Sequence, residues 1–261
     1  MHLYREYLPH PALAGHVACL WTSHAVPAGA PVTTRVLPDN CIDILWQDAA
    51  PLGKVAGMMS RPHHVAVAMP VRTVAVRFLP GAARAFFDLP LAELQDGHPA
   101  LADLWPRHDA EALAAALWER EQPTRARLDT VERALCARLH ARAAASTPTD
   151  RLARAAVVRM EAAGGAARID DLAAALGVTR QHLALLFRER VGLPAKTFAM
   201  VCRFRRAHAA LRACDGHAGA VDWAALSGDC GYYDQSHLIH AFRQFADATP
   251  QAFLRGGGRR P

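Results

Sequence analysis

The feature that most restricts this chain is one arrangement used twice in its last third: a short helix, a glycine, and a polar cap that opens a second helix. In the later copy, Cys230-Gly231-Tyr232-Tyr233-Asp234-Gln235-Ser236-His237-Leu238, Gly231 supplies the backbone freedom that ends one helix and Asp234 is placed to cap the next. Leu238, Phe242 and Phe245 then recur at helical spacing as an inward stripe. Gln235, Ser236, Ile239, His240 and Arg243 are left toward the outer face. Side chains such as Gln, Ser, His and Arg meet base edges or phosphates. Beyond Ala246-Asp247-Ala248, Thr249 is a cap and Pro250 takes the first helical position, where its missing N–H costs nothing, so a short closing helix is expected over Gln251 to Leu254.

The earlier copy follows the same rules. Leu172-Ala173-Ala174-Ala175-Leu176 is a short apolar helix, Gly177 breaks it, and Thr179 caps a helix over Arg180 to Arg190 with Leu183, Leu186 and Phe187 inward. Gly192 ends that helix. From Pro194 to Leu211 the pattern of Phe198, Val201 and Cys202 beside Arg203, Arg205 and Arg206 predicts one long helix on which both units lean.

With these residues in place the chain resembles the AraC/XylS family of bacterial regulators. The resemblance covers about Pro148 to Arg255 and is carried by Leu172-Ala173, Gly177-Val178-Thr179, Leu183, Phe187, Gly192, Arg203, Gly231-Tyr232, Asp234-Gln235-Ser236-His237, Phe242 and Thr249-Pro250. It implies two recognition helices entering successive major grooves of double-stranded promoter DNA, about 34 Å apart as the duplex repeat requires. The positions it assigns to DNA in the first helix are Thr179, Arg180, Gln181, His182, Ala184, Leu185 and Arg188. In the second helix they are Asp234, Gln235, Ser236, His237, His240 and Arg243. Arg is frequent in the family where this chain has Leu185, and Ala184 is equally small and apolar, so hydrogen-bonded readout from the first helix is expected to be reduced to Arg180, Gln181 and Arg188, with apolar contact to thymine methyls still open to it. Asp247 stands where glycine is common, and Asp tolerates left-handed backbone better than most residues, so the turn is expected to survive.

Charge divides along the same line. Residues 1 to 149 hold 14 Lys and Arg against 14 Asp and Glu, whereas the remainder holds 16 against 10. The whole excess of six positive charges therefore lies where phosphates would be met. No apolar run is long enough to span a bilayer, and the start, Met1-His2-Leu3-Tyr4-Arg5-Glu6, lacks a basic-then-apolar signal segment, so a cytoplasmic protein is expected. Six cysteines without CxxC spacing fit packed thiols better than zinc or disulfides, and no cofactor is implied.

The first half has a different texture. Thr33 to Leu37, Cys41 to Trp46, Lys54 to Met58, His64 to Ala68 and Thr73 to Phe78 are short apolar or alternating runs punctuated by Pro and Gly, which predicts a β-rich barrel or sandwich. Helices are expected over Ala82 to Phe87, Asp109 to Arg120 and Thr124 to Ala144. The last carries Leu128, Val131, Leu135 and Leu139 on one stripe, suited to core packing or to a second subunit. Ser146-Thr147-Pro148 is the linker candidate. Arg35 to Trp46 and Val76 to Ala82 are similar to an uncharacterised domain found fused to AraC-type DNA-binding domains, which implies a regulatory module without naming its ligand.

The expected fold class is thus α+β. A β-rich regulatory part with its own helices occupies residues 1–146, an all-α double helix-turn-helix part residues 147–255, and a tail residues 256–261. Asp43, Trp46 and Arg77 are candidates for a small-molecule effector, although Trp46 equally suits a core and Asp39 or Asp43 a pairing with Arg35 or Arg77. RNA polymerase is a further candidate partner, and the chain is read as a monomer or homodimer. Two rivals remain. One is a low-specificity DNA binder, favoured by Ala184 and Leu185. The other is a metal-dependent enzyme built on Asp39, Asp43, His63 and His64. Adjacent histidines on a strand point to opposite faces, and HExxH, GxSxG and phosphate-cradling glycine loops are missing, which argues against a catalytic or metal site.

Overall fold

A computed structural model describes residues 2–27, 29–142, 147–213 and 221–255. Ser146 of the linker candidate and the 256–261 tail lie outside the described residues. The class is α+β: seven strands and the first helices come first, and a wholly helical part follows.

Strands β1 (His2–Tyr7), β2 (Val17–Ala25), β4 (Asp43–Gln47), β5 (Ala50–Ala56) and β7 (Val71–Phe78) form an antiparallel sheet in the order β1-β2-β7-β4-β5. Strands β3 (Val32–Val36) and β6 (His63–Val67) pair separately as a two-stranded ribbon. The five apolar runs of the sequence are all strands, but they divide between a sheet and a ribbon instead of forming one closed barrel or sandwich. β1 and β2 were not expected. β1 is a largely exposed edge with little apolar alternation, and β2 breaks its alternation at a bulge between Val17 and Cys19. β7 sits between β2 and β4, so its residues Thr73 to Val76 are buried without alternation, as a central strand requires.

Trp46 is fully buried, and Gly53 has φ +76° with a hypothetical Cβ only 2.6 Å from the Trp46 Nε1, so glycine is what lets the hairpin close over the indole. Gly57 is tighter still, since an added Cβ would lie 1.7 Å from the Leu94 carbonyl oxygen. Backbone has no rotamer with which to yield. Gly57→Ala is therefore expected to cost about 3 kcal/mol, the upper end for overpacking, and to appear as a lower melting temperature; an unchanged melting temperature would contradict this account of the contact.

After β7 the expected helix over Ala82 to Phe87 is only a 3-10 turn, Ala83–Ala85. Phe86 and Phe87 are adjacent and both fully buried, and Pro90 follows, so the chain folds inward instead of propagating a helix. Helices α1 (Arg107–Trp118) and α2 (Thr124–Ala141) appear close to their expected places. Leu128, Val131 and Leu135 of α2 are fully buried in the core, so that stripe is not a free dimer face. Helix α3 (Pro148–Ala162) opens with a capping box in which Thr147 and Asp150 satisfy each other's backbone N–H groups.

The helical part continues with α4 (Ile169–Ala175), α5 (Arg180–Leu186, extended by a π-helical turn Phe187–Val191), α6 (Ala195–Ala213), α7 (Trp223–Asp229), α8 (Gln235–Ala246) and α9 (Pro250–Arg255). α6 is the long joining helix. Two apolar cores lie against it. The first runs without a break from Leu13, Ile44, Trp46 and Phe78 through α1, α2 and α3 to Leu183, Phe187, Phe198 and Cys202. The second comprises Val201, Phe204, Leu211, Tyr232, Leu238, Phe242 and Phe245, with Leu37 packed on it from the first half.

Polar contacts tie the first half to α6 and to the end of α8. Asn40, fully buried with left-handed φ of 64°, donates its side-chain amide to the Phe198 carbonyl at 3.1 Å and to the Cys202 Sγ at 3.3 Å. Arg35 of β3 donates to the Ala246 carbonyl in the last turn of α8, where exposed carbonyls favour a cation. His64 of β6 lies 3.8 Å from Asp247.

Candidate nucleic-acid interface

In the first unit, Gly177 has φ +68° and carries the chain from α4 into the turn, and the Thr179 hydroxyl accepts the His182 N–H at 3.1 Å. Leu183, Leu186 and Phe187 are buried, which forces Arg180, Gln181, His182, Ala184, Leu185 and Arg188 outward. Each of these six is exposed, as is Thr179. Leu185 leaves 49% of its surface in solvent. Arg180 is 3.4 Å from Asp170 on α4, a surface pair too exposed to hold it firmly.

The second unit repeats the geometry. Gly231 has φ +77°, and Asp234 Oδ1 accepts the His237 N–H at 2.8 Å. Behind the cap Leu238, Phe242 and Phe245 are fully buried, with Phe242 edge-on to Phe204 of α6 at 5.1 Å. Gln235, Ser236, His240 and Arg243 are exposed along with Asp234. His237 differs from them. It is half-buried, meets the Tyr232 ring edge-on at 5.2 Å and its Nδ1 accepts the Tyr233 N–H at 3.4 Å, so it closes the turn. Asp247 has φ +47° at the end of α8, so the left-handed turn survives without the usual glycine. Thr249 caps α9 through the Ala252 N–H at 3.1 Å.

The sequence reading passed over Tyr233. Tyr233 is 94% exposed directly before the cap of α8, whereas Tyr232 beside it is buried. The available signal was that two adjacent aromatics at a helix start cannot both face the core.

The effector candidates lie elsewhere. Trp46 is inside the first core. Arg77 and Asp43 are cross-strand partners on β7 and β4 and pair through two contacts of 3.1 Å, with Asp39 3.4 Å from the same guanidinium. Trp21 adds its indole N–H to Asp43 at 3.1 Å. Burial pushes the Asp43 carboxyl up to about 6 despite Arg77, and the two flanking carboxylates hold Arg77 firmly protonated. His63 and His64 do face apart: His63 stacks on His98 at 4.2 Å, while His64 turns to Asp247. Asp39, Asp43, His63 and His64 thus never converge, and among the described residues no three His, Cys, Asp or Glu side chains come together to hold a metal.

Two capped helices, each presenting a polar face beside a buried stripe and both mounted on one joining helix, define a helix-turn-helix DNA-binding protein. Residues 172–256 match the family model described as a helix-turn-helix domain, and residues 5–100 match a domain of unknown function. The last third of the chain is thus a helix-turn-helix domain by both its geometry and its sequence. No curated protein sequence matches it. Among solved structures it is similar to ToxT from Vibrio cholerae, at 9% identity and a TM-score of 0.45 over 97% of this chain and 98% of that one. It is also similar to ToxT bound to (E)-4-(8-methylnaphthalen-1-yl)but-3-enoic acid, at 9% identity and a TM-score of 0.46 over 97% and 98%. A further similarity is to the unsaturated fatty acid bound form of ToxT, at 9% identity and 0.43 over 99% and 98%. A likeness that slight transfers neither a ligand nor a residue role. Among the described residues no helix is long and apolar enough to cross a membrane.

Proposed function

We propose that residues 147–255 dock α5 and α8 into neighbouring major grooves of promoter DNA while residues 1–146 set how firmly they do so in response to a small molecule. The observation that carries the reading is the exposure of two matched polar helix faces whose other sides are locked into cores sharing α6. Gln181, His182 and Arg188 on the first helix, and Gln235, Ser236, His240 and Arg243 on the second, are the polar groups for bases and phosphates. Thr179 and Asp234 hold the helix starts that carry those groups, Arg180 reaches toward phosphate, and His237 orients the second turn. Ala184 and Leu185 suit thymine methyls. Tyr233 joins them as an exposed aromatic for a sugar or base edge at the mouth of the second groove.

The regulatory half acts on this machinery through its contacts with α6 and α8 at Asn40, Arg35 and His64, and it bears on RNA polymerase contact in the same way. Asp43, on the same strand as Trp46, and Arg77, on the neighbouring strand, serve it as a polar pair of the sheet. The regulator works as a monomer or homodimer.

The test is a random-library DNA selection with the full chain, followed by titrations at two salt concentrations. The full chain is required because the first core spans both halves, and a fragment beginning at α3 would expose the Val157 and Val191 side chains that pack against Gly81. Enrichment of two sequence blocks about one helical turn apart is the expected result. Salt-sensitive binding without an enriched motif would instead make this a low-specificity DNA binder, the reading favoured by the apolar Ala184 and Leu185.

A further inference from the structure

Between the two halves lies a cavity of about 560 Å³ that neither recognition helix occupies. Its walls combine small apolar residues such as Ala85 and Leu139 with four arginines drawn from four separate segments. Arg84 comes from the 3-10 turn after β7, Arg142 follows α2, Arg154 projects from α3, and Arg190 sits on the π-helical turn that continues α5. Separate segments do not gather guanidinium groups by default, because like charges repel and arginine is costly to desolvate.

The internal compensation is incomplete. Arg142 pairs with Asp88, Arg190 with Asp150 at 3.0 Å, and among the described residues Arg84 donates only to the Phe87 carbonyl. Arg154 donates to His16 Nδ1 at 2.8 Å, and burial together with that arginine lowers the His16 pKa, so the imidazole serves as a neutral acceptor. Burial and the neighbouring Arg190 and Arg142 lower the Arg84 pKa in the same way, a sign of crowded like charge. The buried Nε atoms of Arg142 and Arg190 have no hydrogen-bond partner among the described residues. Asp88 and Asp150 pair with Arg142 and Arg190, but among the described residues Arg84 and Arg154 have no ion pair and Asp150 is the one carboxylate lining the cavity, so positive charge is in excess in a space large enough for a small organic molecule.

We propose that this cavity binds a small organic dianion, a phosphate monoester or a dicarboxylate, as the effector of the regulator. The proposal rests on the reading of the chain as a ligand-responsive DNA-binding protein and supplies the chemistry of its ligand. Planar guanidinium forks hold carboxylate and phosphate oxygens in two-point contacts, which explains arginine at all four positions. A dianion held at once by Arg84, Arg154 and Arg190 would clamp the sheet half, α3 and the end of the first recognition element together. Effector binding and the set of α5 then become one equilibrium.

The experiment uses the full chain at constant ionic strength. Glucose 6-phosphate, succinate, hexanoate and chloride are each titrated while the unfolding midpoint and the affinity for the selected DNA site are followed. Glucose 6-phosphate or succinate is expected to raise the midpoint saturably and to change DNA affinity, with hexanoate and chloride at least tenfold weaker; which of the first two acts identifies the source of the dianion. Arg84→Gln and Arg154→Gln should each weaken that response at least tenfold in protein of unchanged circular dichroism, and Arg154→Lys should restore part of it. A response equal to that of chloride, or one that survives both glutamine variants, overturns the dianion site. So does a fall in DNA affinity in those variants without any added anion, which would give the arginines to the DNA backbone. Failure of the site leaves the DNA selection intact, whereas failure of the regulator reading shows as a selection with no motif, so the two are told apart.

Discussion

Phe242→Ala is expected to melt the second recognition unit while the rest of the chain stays folded. Phe242 is fully buried, packs edge-on to Phe204 at 5.1 Å and meets Phe253 at 6.0 Å, so truncation removes the centre of a small core. Such a change costs about 3–5 kcal/mol, with the larger values where the surroundings cannot collapse. Against a whole-domain stability of about 5–15 kcal/mol the loss is severe, and it falls on one unit because the second core is separate from the first. Phe187→Ala provides the converse case. Phe187 belongs to the first core and packs edge-on to Phe198 at 5.6 Å, so its loss should loosen the first recognition helix together with the β-rich half. Calorimetry should resolve two transitions, the lower-temperature one moved by Phe242→Ala and the other by Phe187→Ala. A single transition displaced as a whole by either variant would show that the two cores unfold together.

That division of cores marks where the sequence stops being legible. Gly177, Thr179, Gly231 and Asp234 announced both turns because a glycine and a cap act through the bonds next to them. The inward stripes were equally plain, since Leu183 or Phe242 needs only a periodic pattern to be placed. Contacts across the chain were hidden. Nothing local says that Asn40 donates to the backbone of Phe198, 158 residues away, or that Arg35 caps the end of α8. β1 and β2 escaped for a related reason: an exposed edge strand and a bulged one owe their place to the partners they pair with. For the candidate site the exposed faces were readable, while Tyr233 was passed over, because which of the adjacent Tyr232 and Tyr233 turns inward is decided by packing in the second core. The arginine-lined cavity was invisible too. Its four cations are spread over more than a hundred positions, from Arg84 to Arg190, and no pattern of spacing joins them.

Gln235→Ala and His240→Ala are expected to change which DNA is preferred without changing how firmly DNA in general is held. Both side chains are exposed on α8, away from the Leu238, Phe242 and Phe245 stripe, so truncation should leave folding nearly untouched. A well-formed two-point contact between a side chain and a base is worth about 1–3 kcal/mol of discrimination. Each variant should therefore lose roughly 5- to 150-fold in affinity at the selected site, with its nonspecific affinity and salt slope nearly constant. Arg203→Ala and Arg206→Ala set the contrast. Arg203 reaches the Gly231 carbonyl at 3.5 Å and braces the turn before α8, while Arg206 lies over Gly164 beside the first unit. Their removal acts through the scaffold and the charge, so the expected loss is similar on every sequence. Under the proposed docking, a group beyond the cap of a recognition helix would read and a group on the joining helix would hold. Uniform losses for all four variants across specific and nonspecific DNA would remove α8 from the role of reader and leave it as one more phosphate-binding surface.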